Sequence, residues 1–368
     1  MGYDAVVSTD RRATWRAPGT KVAHHTMREV NRSLVLDILR EGEPVSRVEL
    51  SRRTRLSKPT VSSIVEDLMA DGLVRDAGMA APSHTTGRPA SLLVYDERAL
   101  GFAAIQLGGA VARAAVADGL GRIVGRGEAP ASSDVEAMLL GARRALRDAA
   151  PAARLRADRI GACGVVIDGD DLDWRDPALR SRLERTLRTP VVVAASSHAA
   201  ALAELRAAEG APRCLAWVHV DERIGCAVVV EGQLLTGAHG RAGALAHLPV
   251  VADGPRCRCG ARGCLETVAA GEAARRAPAT AGEQLGRGIA HLAALLDPDV
   301  VAVAGPLARD DYLQAARASA RTGTRVEIRR SAVDGDGPLL GGIHLAAGVA
   351  TPSYRLVGRA EARGAAAV

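Results

Sequence analysis

The 368 residues carry 48% hydrophobic and 24% charged side chains, an ordinary globular balance that gives room for two or three cores. No apolar run approaches the roughly 20 residues needed to cross a bilayer, and the first 26 residues lack the apolar middle of a signal peptide, so neither a membrane span nor export is expected. The net charge of +6 permits a polyanionic partner without requiring one, and the six cysteines of a chain expected in the cytoplasm read as thiols or metal ligands rather than disulfides.

Residues 1–26 show no sustained period and are expected to be a disordered arm. From Met27 the period turns helical: Val30, Leu34, Leu36, Ile38 and Leu39 mark a first amphipathic helix, stopped by Gly42 and Pro44. Ser46 can cap a short second helix with Val48, Leu50 and Arg52–Arg53. After the turn Thr54–Arg55–Leu56, Ser57 can cap a third helix with Val61, Ile64, Val65 and Leu68 on one face, ended by Gly72. Leu73–Arg75 and Leu92–Tyr95 then read as two strands around a polar loop at Gly87–Arg88–Pro89, which makes residues 27–97 a winged helix-turn-helix.

Between Arg47 and Lys58 five basic residues face one acid, Glu49. Such a run can be a solvated face, and such a module can serve protein contacts. In a helix-turn-helix, however, the N-terminal end of the second helix meets base edges. That end is Ser57, Lys58, Thr60, Ser62 and Ser63, with Arg47, Arg52, Arg55 and the loop's Arg88 placed for the DNA backbone.

Beyond residue 98, strands alternate with Ala/Leu/Arg-rich helices, the pattern of an α/β fold. Strands are expected at Gly101–Leu107, Val111–Asp118, Arg159–Ile167, Val191–Ala195, Cys214–Val220, Cys226–Glu231, Val300–Ala304 and Arg325–Arg329. Helices are expected at Asp134–Ala150, Pro177–Arg188, His198–Glu209, Ala281–Leu296 and Tyr312–Thr322, and residues 359–368 read as a disordered tail. Cys257, Cys259 and Cys264 follow ten residues after His247. Three thiolates and an imidazole form a closed set that suits structural Zn²⁺, although the same cysteines could be plain thiols in a Gly-rich loop.

Two stretches carry a resemblance. NRSLVLDILREGEPVSRVELSRRTRLSKPTVSSIVEDLMADGLV resembles the N-terminal module of ROK-family repressors, with Arg55 where such turns usually hold Gly. GQLLTGAHGRAGALAHLPVVADGPRCRCGARGCLE resembles the ROK signature, metal set included. The resemblance implies a winged helix-turn-helix followed by a two-lobed actin-like (ribonuclease-H-like) ROK domain over residues 98–358, and a homodimer or dimer of dimers.

It also exposes what is missing for kinase chemistry. VVVAASSHAAALAE puts Ala195 and Ser196 where the family has the Asn and Asp of its sugar site, and Ser196 cannot act as a carboxylate base. Gln106 replaces the Asp of the phosphate loop, Asp221–Glu222 would oppose phosphate, and Ala244 replaces a sugar-binding Glu. No catalytic residue is therefore expected. The remaining candidates for a ligand, a sugar or another metabolite, are Ser196, Ser197, His198, His247 and Glu266. With an amide and two carboxylates gone, that ligand is expected to differ from glucose-like sugars. The expected function is a DNA-binding transcriptional regulator, a repressor of a near-palindromic double-stranded operator. The alternatives are a ligand-independent DNA binder using the ROK domain as a dimerisation scaffold, and a carbohydrate kinase.

Overall fold

The structure, a computed structural model, describes residues 20–79, 91–132, 134–150, 159–169, 173–208, 210, 212–320 and 326–350. The chain divides between Tyr95 and Asp96 into two compact units.

The first unit holds α1 (Thr20–Leu39), β1 (Val45–Ser46), α2 (Arg47–Thr54), α3 (Lys58–Ala70), β2 (Val74–Met79) and β3 (Ser91–Tyr95). Helix α1 starts seven residues inside the segment expected to be a disordered arm. No Gly or Pro follows Pro18–Gly19 there, so nothing interrupts the backbone ladder, and propagating a helix requires no apolar period. Its buried stripe is Val35, Leu36 and Leu39, whereas Val30 and Leu34, expected inward, are 40% and 39% exposed. Leu50 of α2 and Val61, Ile64, Val65 and Leu68 of α3 complete the core. The three strands form one antiparallel sheet in the order β1-β3-β2. Strand β1 is too short to show a period and was not foreseen. The loop with Arg88 lies outside the described residues.

In the second unit, β4 (Gly101–Leu107), β5 (Val111–Ala117), β6 (Ile123–Pro130), β7 (Ile160–Ile167) and β8 (Val191–Ala195) make a sheet in the order β6-β5-β4-β7-β8. The strands β9 (Cys214–Val220), β10 (Ile224–Val230), β11 (Gln233–Leu234), β12 (Val300–Ala304) and β13 (Glu327–Arg330) make another, ordered β11-β10-β9-β12-β13. Each sheet is an antiparallel three-strand meander with two parallel strands added beside its first strand. The same topology thus occurs twice, giving the two lobes of an actin-like fold.

Helix α4 (Val135–Ala149) packs on the first sheet through Met138, Leu139, Ala142 and Ala145, and α5 (Pro177–Leu187) buries Leu179 and Leu183 in the same core. Helices α6 (Ser196–Ala207), α7 (Leu265–Ala269), α8 (Gly271–Arg276), α9 (Pro278–Leu296), α10 (Asp310–Ser319) and α11 (Gly337–Ala350) follow. The second sheet buries Val218, Val228 and Val301 against Leu285 and Ile289 of α9 and Tyr312 of α10. Between the sheets lies α6, whose Ala199–Leu202 meet Val166 of β7 and Leu215 and Trp217 of β9. Its Glu204 is fully buried and fully satisfied, accepting from Arg329 Nη1 at 2.6 Å, Ser331 Oγ at 2.7 Å and the Ala332 amide at 2.9 Å. A buried carboxylate with these partners ties α6 to β13 and the segment just after it; removing one partner would leave the carboxylate under-satisfied.

With aromatics at 2%, much of this core is closed by backbone approach rather than by large side chains. A Cβ on Gly164 of β7 would lie 2.0 Å from the Gly342 carbonyl oxygen of α11, and one on Gly341 would lie 1.9 Å from the Ala199 carbonyl of α6. Backbone cannot swing aside as a side chain can. Gly164→Ala is therefore expected to lower stability by about 1–3 kcal/mol, the usual cost of overpacking, or more if α11 is displaced. Urea denaturation would measure it, and an unchanged midpoint would contradict this account of the packing.

Candidate functional sites: a DNA-reading helix, a thiol cluster and a cleft

In the first unit the caps expected from the sequence are formed. Ser46 Oγ accepts from the Glu49 amide at 3.2 Å, and Ser57 Oγ accepts from the Thr60 amide at 3.3 Å. Ser51 and Thr54 hydroxyls bond the Leu56 and Leu50 carbonyls at 2.7 and 2.6 Å, which fixes the turn between α2 and α3. Arg55 closes α2 in the left-handed region, φ 58°, a conformation that disfavours any side chain. The basic residues of this region divide into two groups. Arg52 is held by Glu49 (2.5 and 2.8 Å) and keeps that carboxyl below the usual carboxylate range, while Arg53 is held by Glu41 (2.6 and 2.7 Å). Arg55 and Lys58 are exposed and have no ion pair among the described residues. Arg47 is half-buried, its guanidinium 3.8 Å from Met69 Sδ. Ser63 is exposed and Ser62 partly so, whereas the Ser57 and Thr60 hydroxyls bond each other at 2.7 Å. The sequence did not reveal Asp76, which accepts from Ser91 Oγ (2.6 Å) and the Gly78 amide (2.7 Å) and fixes the bulge at the base of the wing.

In the second unit His247 ends a single 3-10 turn, Leu245–His247, and the thiols follow in a loop folded by two isolated bridges, Pro249↔Cys264 and Arg256↔Arg262. Gly263 is forced by crowding as well as by its φ of 65°: a Cβ there would lie 1.7 Å from the Val251 carbonyl oxygen. The donor atoms of His247, Cys257, Cys259 and Cys264 all lie within 4.8 Å of one another. Cys257 Sγ is 3.5 Å from His247 Nδ1 and Cys259 Sγ is 3.6 Å from Cys264 Sγ. Zinc–sulfur bonds of about 2.3 Å in a tetrahedron imply edges of about 3.8 Å, and slightly less to nitrogen, so the four residues fit such an ion. The sulfur separation is far beyond a disulfide. Burial pushes the Cys264 thiol up to about 12, so a cation among the sulfurs would be needed to hold it as thiolate.

Glu266, a candidate both for a ligand contact and for an acceptor supporting the metal set, makes two bonds within the protein. Its Oε1 accepts from Arg258 Nε at 3.0 Å, and its Oε2 accepts from the Ile224 amide at 3.4 Å. Arg258 lies between two of the cysteines, so the thiol loop and this carboxylate are one assembly.

The candidate ligand residues at the start of α6 have different surroundings. Ser196 lies near enough to the Asp168 carboxyl to lower its pKa; Ser197 lies beside Gly225 of β10. His198 is buried and packs edge-on against Trp174 with ring centroids 5.3 Å apart, and burial lowers its pKa. Burial and the Trp174 contact give His198 a packing role at the start of α6. Asp168, just past the end of β7, was missed from the sequence. Its Oδ2 also accepts from Gln106 Nε2 at 2.8 Å, and burial raises its pKa although Ser196, Gln106, His219 and Arg113 oppose the rise. A carboxylate thus stands beside position 196, although Ala195, Ser196 and Ala244 lack the polar groups expected from the family pattern. An acid at the carboxyl end of a parallel strand was the available signal, since such ends face ligands in open α/β sheets.

Comparison with known proteins agrees with this architecture. Residues 102–284 match the ROK family and residues 29–78 match the MarR family. The xylose repressor of Bacillus subtilis (strain 168) is 28% identical over 261 residues, covering 67% of this chain and 67% of its own. A crystal structure of a ROK hexokinase from Thermus thermophilus, 28% identical, superposes with a TM-score of 0.57 over 67% of this chain and 98% of that one. A ROK-family transcriptional regulator, described as a homologue of the Escherichia coli MLC protein, shares the fold at 19% identity, with a TM-score of 0.69 over 89% of this chain and 96% of that one. The chain thus carries a ROK-family domain in its second unit, with a winged helix of MarR type in front.

Proposed function

We propose that the chain is a sequence-specific DNA-binding transcriptional regulator, a repressor, whose ROK domain senses a small hydroxylated molecule and does not phosphorylate it. The observation that carries this reading is the pairing of an open DNA-reading edge, with Arg55 and Lys58 free at the turn and the start of α3, with a ROK domain that has Ser196 at the base position. The xylose repressors among its relatives support a sugar as the effector. The four-residue cluster is read as a structural zinc site, and the active form as a dimer or dimer of dimers binding a near-palindrome. The bond between Glu266 and Arg258 favours one part of the scaffold reading, because it removes a sugar contact; Asp168 argues against a dead cleft.

Selection from random duplexes by the full chain should enrich a near-palindromic motif with half-sites about 10–20 base pairs apart, one or two helical turns. No enriched motif would refute DNA reading. Lys58→Ala should weaken binding and reduce its logarithmic salt slope by about 0.9, the contribution of one phosphate. Arg52→Ala should do less, because Glu49 already neutralises that guanidinium. Arg55→Gly separates two roles: relief of the left-handed strain should raise stability by about 1 kcal/mol, while DNA affinity should fall. Unchanged affinity in both Lys58→Ala and Arg55→Gly would move the interface elsewhere.

A further inference from the structure

Three polar groups from both lobes converge near Ser196, at the start of α6. Asp168 and Gln106 come from the ends of β7 and β4, and His219 comes from β9 of the other lobe. The Asp168 carboxyl takes a hydrogen bond from Gln106 at 2.8 Å, has Ser196 near enough to oppose the rise in its pKa, and has acceptor capacity left, since a carboxylate offers about four lone-pair positions. Gln106 uses its amide nitrogen on Asp168, and this orients its carbonyl oxygen, which is buried without a hydrogen-bond partner. A buried unpaired carbonyl costs free energy unless something donates to it. His219 is stacked on Trp217, and burial lowers its pKa although Asp221, Asp168 and Asp334 oppose the fall. Gly108 closes against the cluster: a Cβ there would lie 2.4 Å from Asp168 Cβ, so only glycine lets the loop after β4 come this near.

The unpaired Gln106 carbonyl and the spare acceptor positions of Asp168 both call for donors, while the His219 ring can meet either a donor or an acceptor. An anion would be repelled by Asp168, and Arg113 already offsets part of that charge, which reduces the advantage of a cation. A molecule with neighbouring hydroxyls meets both acceptors at once. We propose that Asp168, not the residue at position 196, is the carboxylate that grips the ligand, and that with the Gln106 carbonyl it selects a neutral polyhydroxylated molecule such as an aldose. The gripping carboxylate would then stand at the strand end rather than at the helix start, with Ser196 beside it. This rests on the sensor reading above and names the residue that carries it out.

The test uses the full-length protein, titrated calorimetrically with D-xylose, L-arabinose, D-glucose and D-mannose. At least one should bind, and Asp168→Asn, nearly isosteric, should weaken it on the order of ten- to hundredfold, as expected for loss of a charge-assisted hydrogen bond. The reciprocal double variant, Asp168→Ser with Ser196→Asp, returns a carboxylate to the helix start and should recover much of the affinity. It also provides a second reading if Asp168→Asn folds poorly. Equal affinity in wild type and Asp168→Asn would overturn the role of Asp168 while leaving the sensor intact. Failure of all four aldoses to bind the wild type at millimolar concentration would overturn both the proposal and the hydroxylated-ligand sensor. DNA reading would then stand or fall on duplex selection alone.

Discussion

Stripping metal from the purified chain is expected to melt the second lobe of the ROK domain rather than to leave a folded but inactive protein. The loop from Leu248 to Cys264 has two isolated bridges and a few turn hydrogen bonds, so the cross-links through the four donors would be its main restraint. Cys264 sits immediately before α7, whose Leu265 and Ala269 belong to the second core, so loosening the cluster reaches that core directly. Structural zinc in small domains contributes apparent free energies of about 10–16 kcal/mol. Losing even about 4 kcal/mol would lower the melting midpoint of a unit this size by about 10 °C. Cys259→Ser should act in the same direction. Cys226→Ser, at a buried strand position outside the cluster, should cost no more than an ordinary core substitution. Metal analysis of fresh protein should give one zinc per chain; folded protein with clearly less would refute the assignment.

Mild acid should destabilise the same unit, with His344 as a leading cause. Its Nδ1 is buried without a hydrogen-bond partner, and burial, with Arg206 nearby, pushes the imidazole down to about 3. The unfolded chain takes up that proton near pH 6.5 and the folded one does not. Above pH 6.5 both states are neutral and the stability is fully present; as pH falls from 6.5 towards 3 it is lost at about 1.4 kcal/mol per pH unit. His198 and His219 are lowered by burial too and act in the same direction, whereas the raised Asp168 acts oppositely, since its burial favours the protonated form. Urea midpoints between pH 7.5 and 4.5 should fall steeply in the wild type and less in His344→Asn. Parallel slopes would show that His344 titrates normally in the folded state.

The sequence was most legible where one local rule decided the structure. Ser57 before a Pro-containing first turn located α3, and the runs at Gly101–Leu107, Val191–Ala195, Cys214–Val220 and Val300–Ala304 were read to the residue because β-branched and small apolar residues end there at polar or glycine positions. Strand β6 escaped because IVGRGEAP carries two glycines and little apolar alternation. Helix α11 escaped because GPLLGGIHLAAGVA reads as a breaker-rich stretch, yet its glycines are the surface that lets it approach β7 and α6. The duplicated sheet order left no repeat in the residues, since topology is preserved by packing, not by identity. Among site residues, the metal set was visible because ligand spacing is local chemistry. Asp168 was not, because matching the chain to a family pattern shows which expected groups are absent, not where a substitute has arisen. The pairing of Arg52 with Glu49 and of Glu266 with Arg258 likewise depends on side-chain geometry that spacing alone does not give.

The glycine and alanine contacts around α11 make the tolerance of this core to mutation one-sided. In a leucine-rich interior the damaging change is truncation, because it leaves a cavity. Here there is little to truncate at Gly164, Gly341, Gly342 or Ala199, and the damaging change is growth by a single methyl group. Drift at these positions would be confined to the smallest residues whatever their polarity, and a hydrophobicity profile would record the most constrained surface of the domain as its least distinctive one.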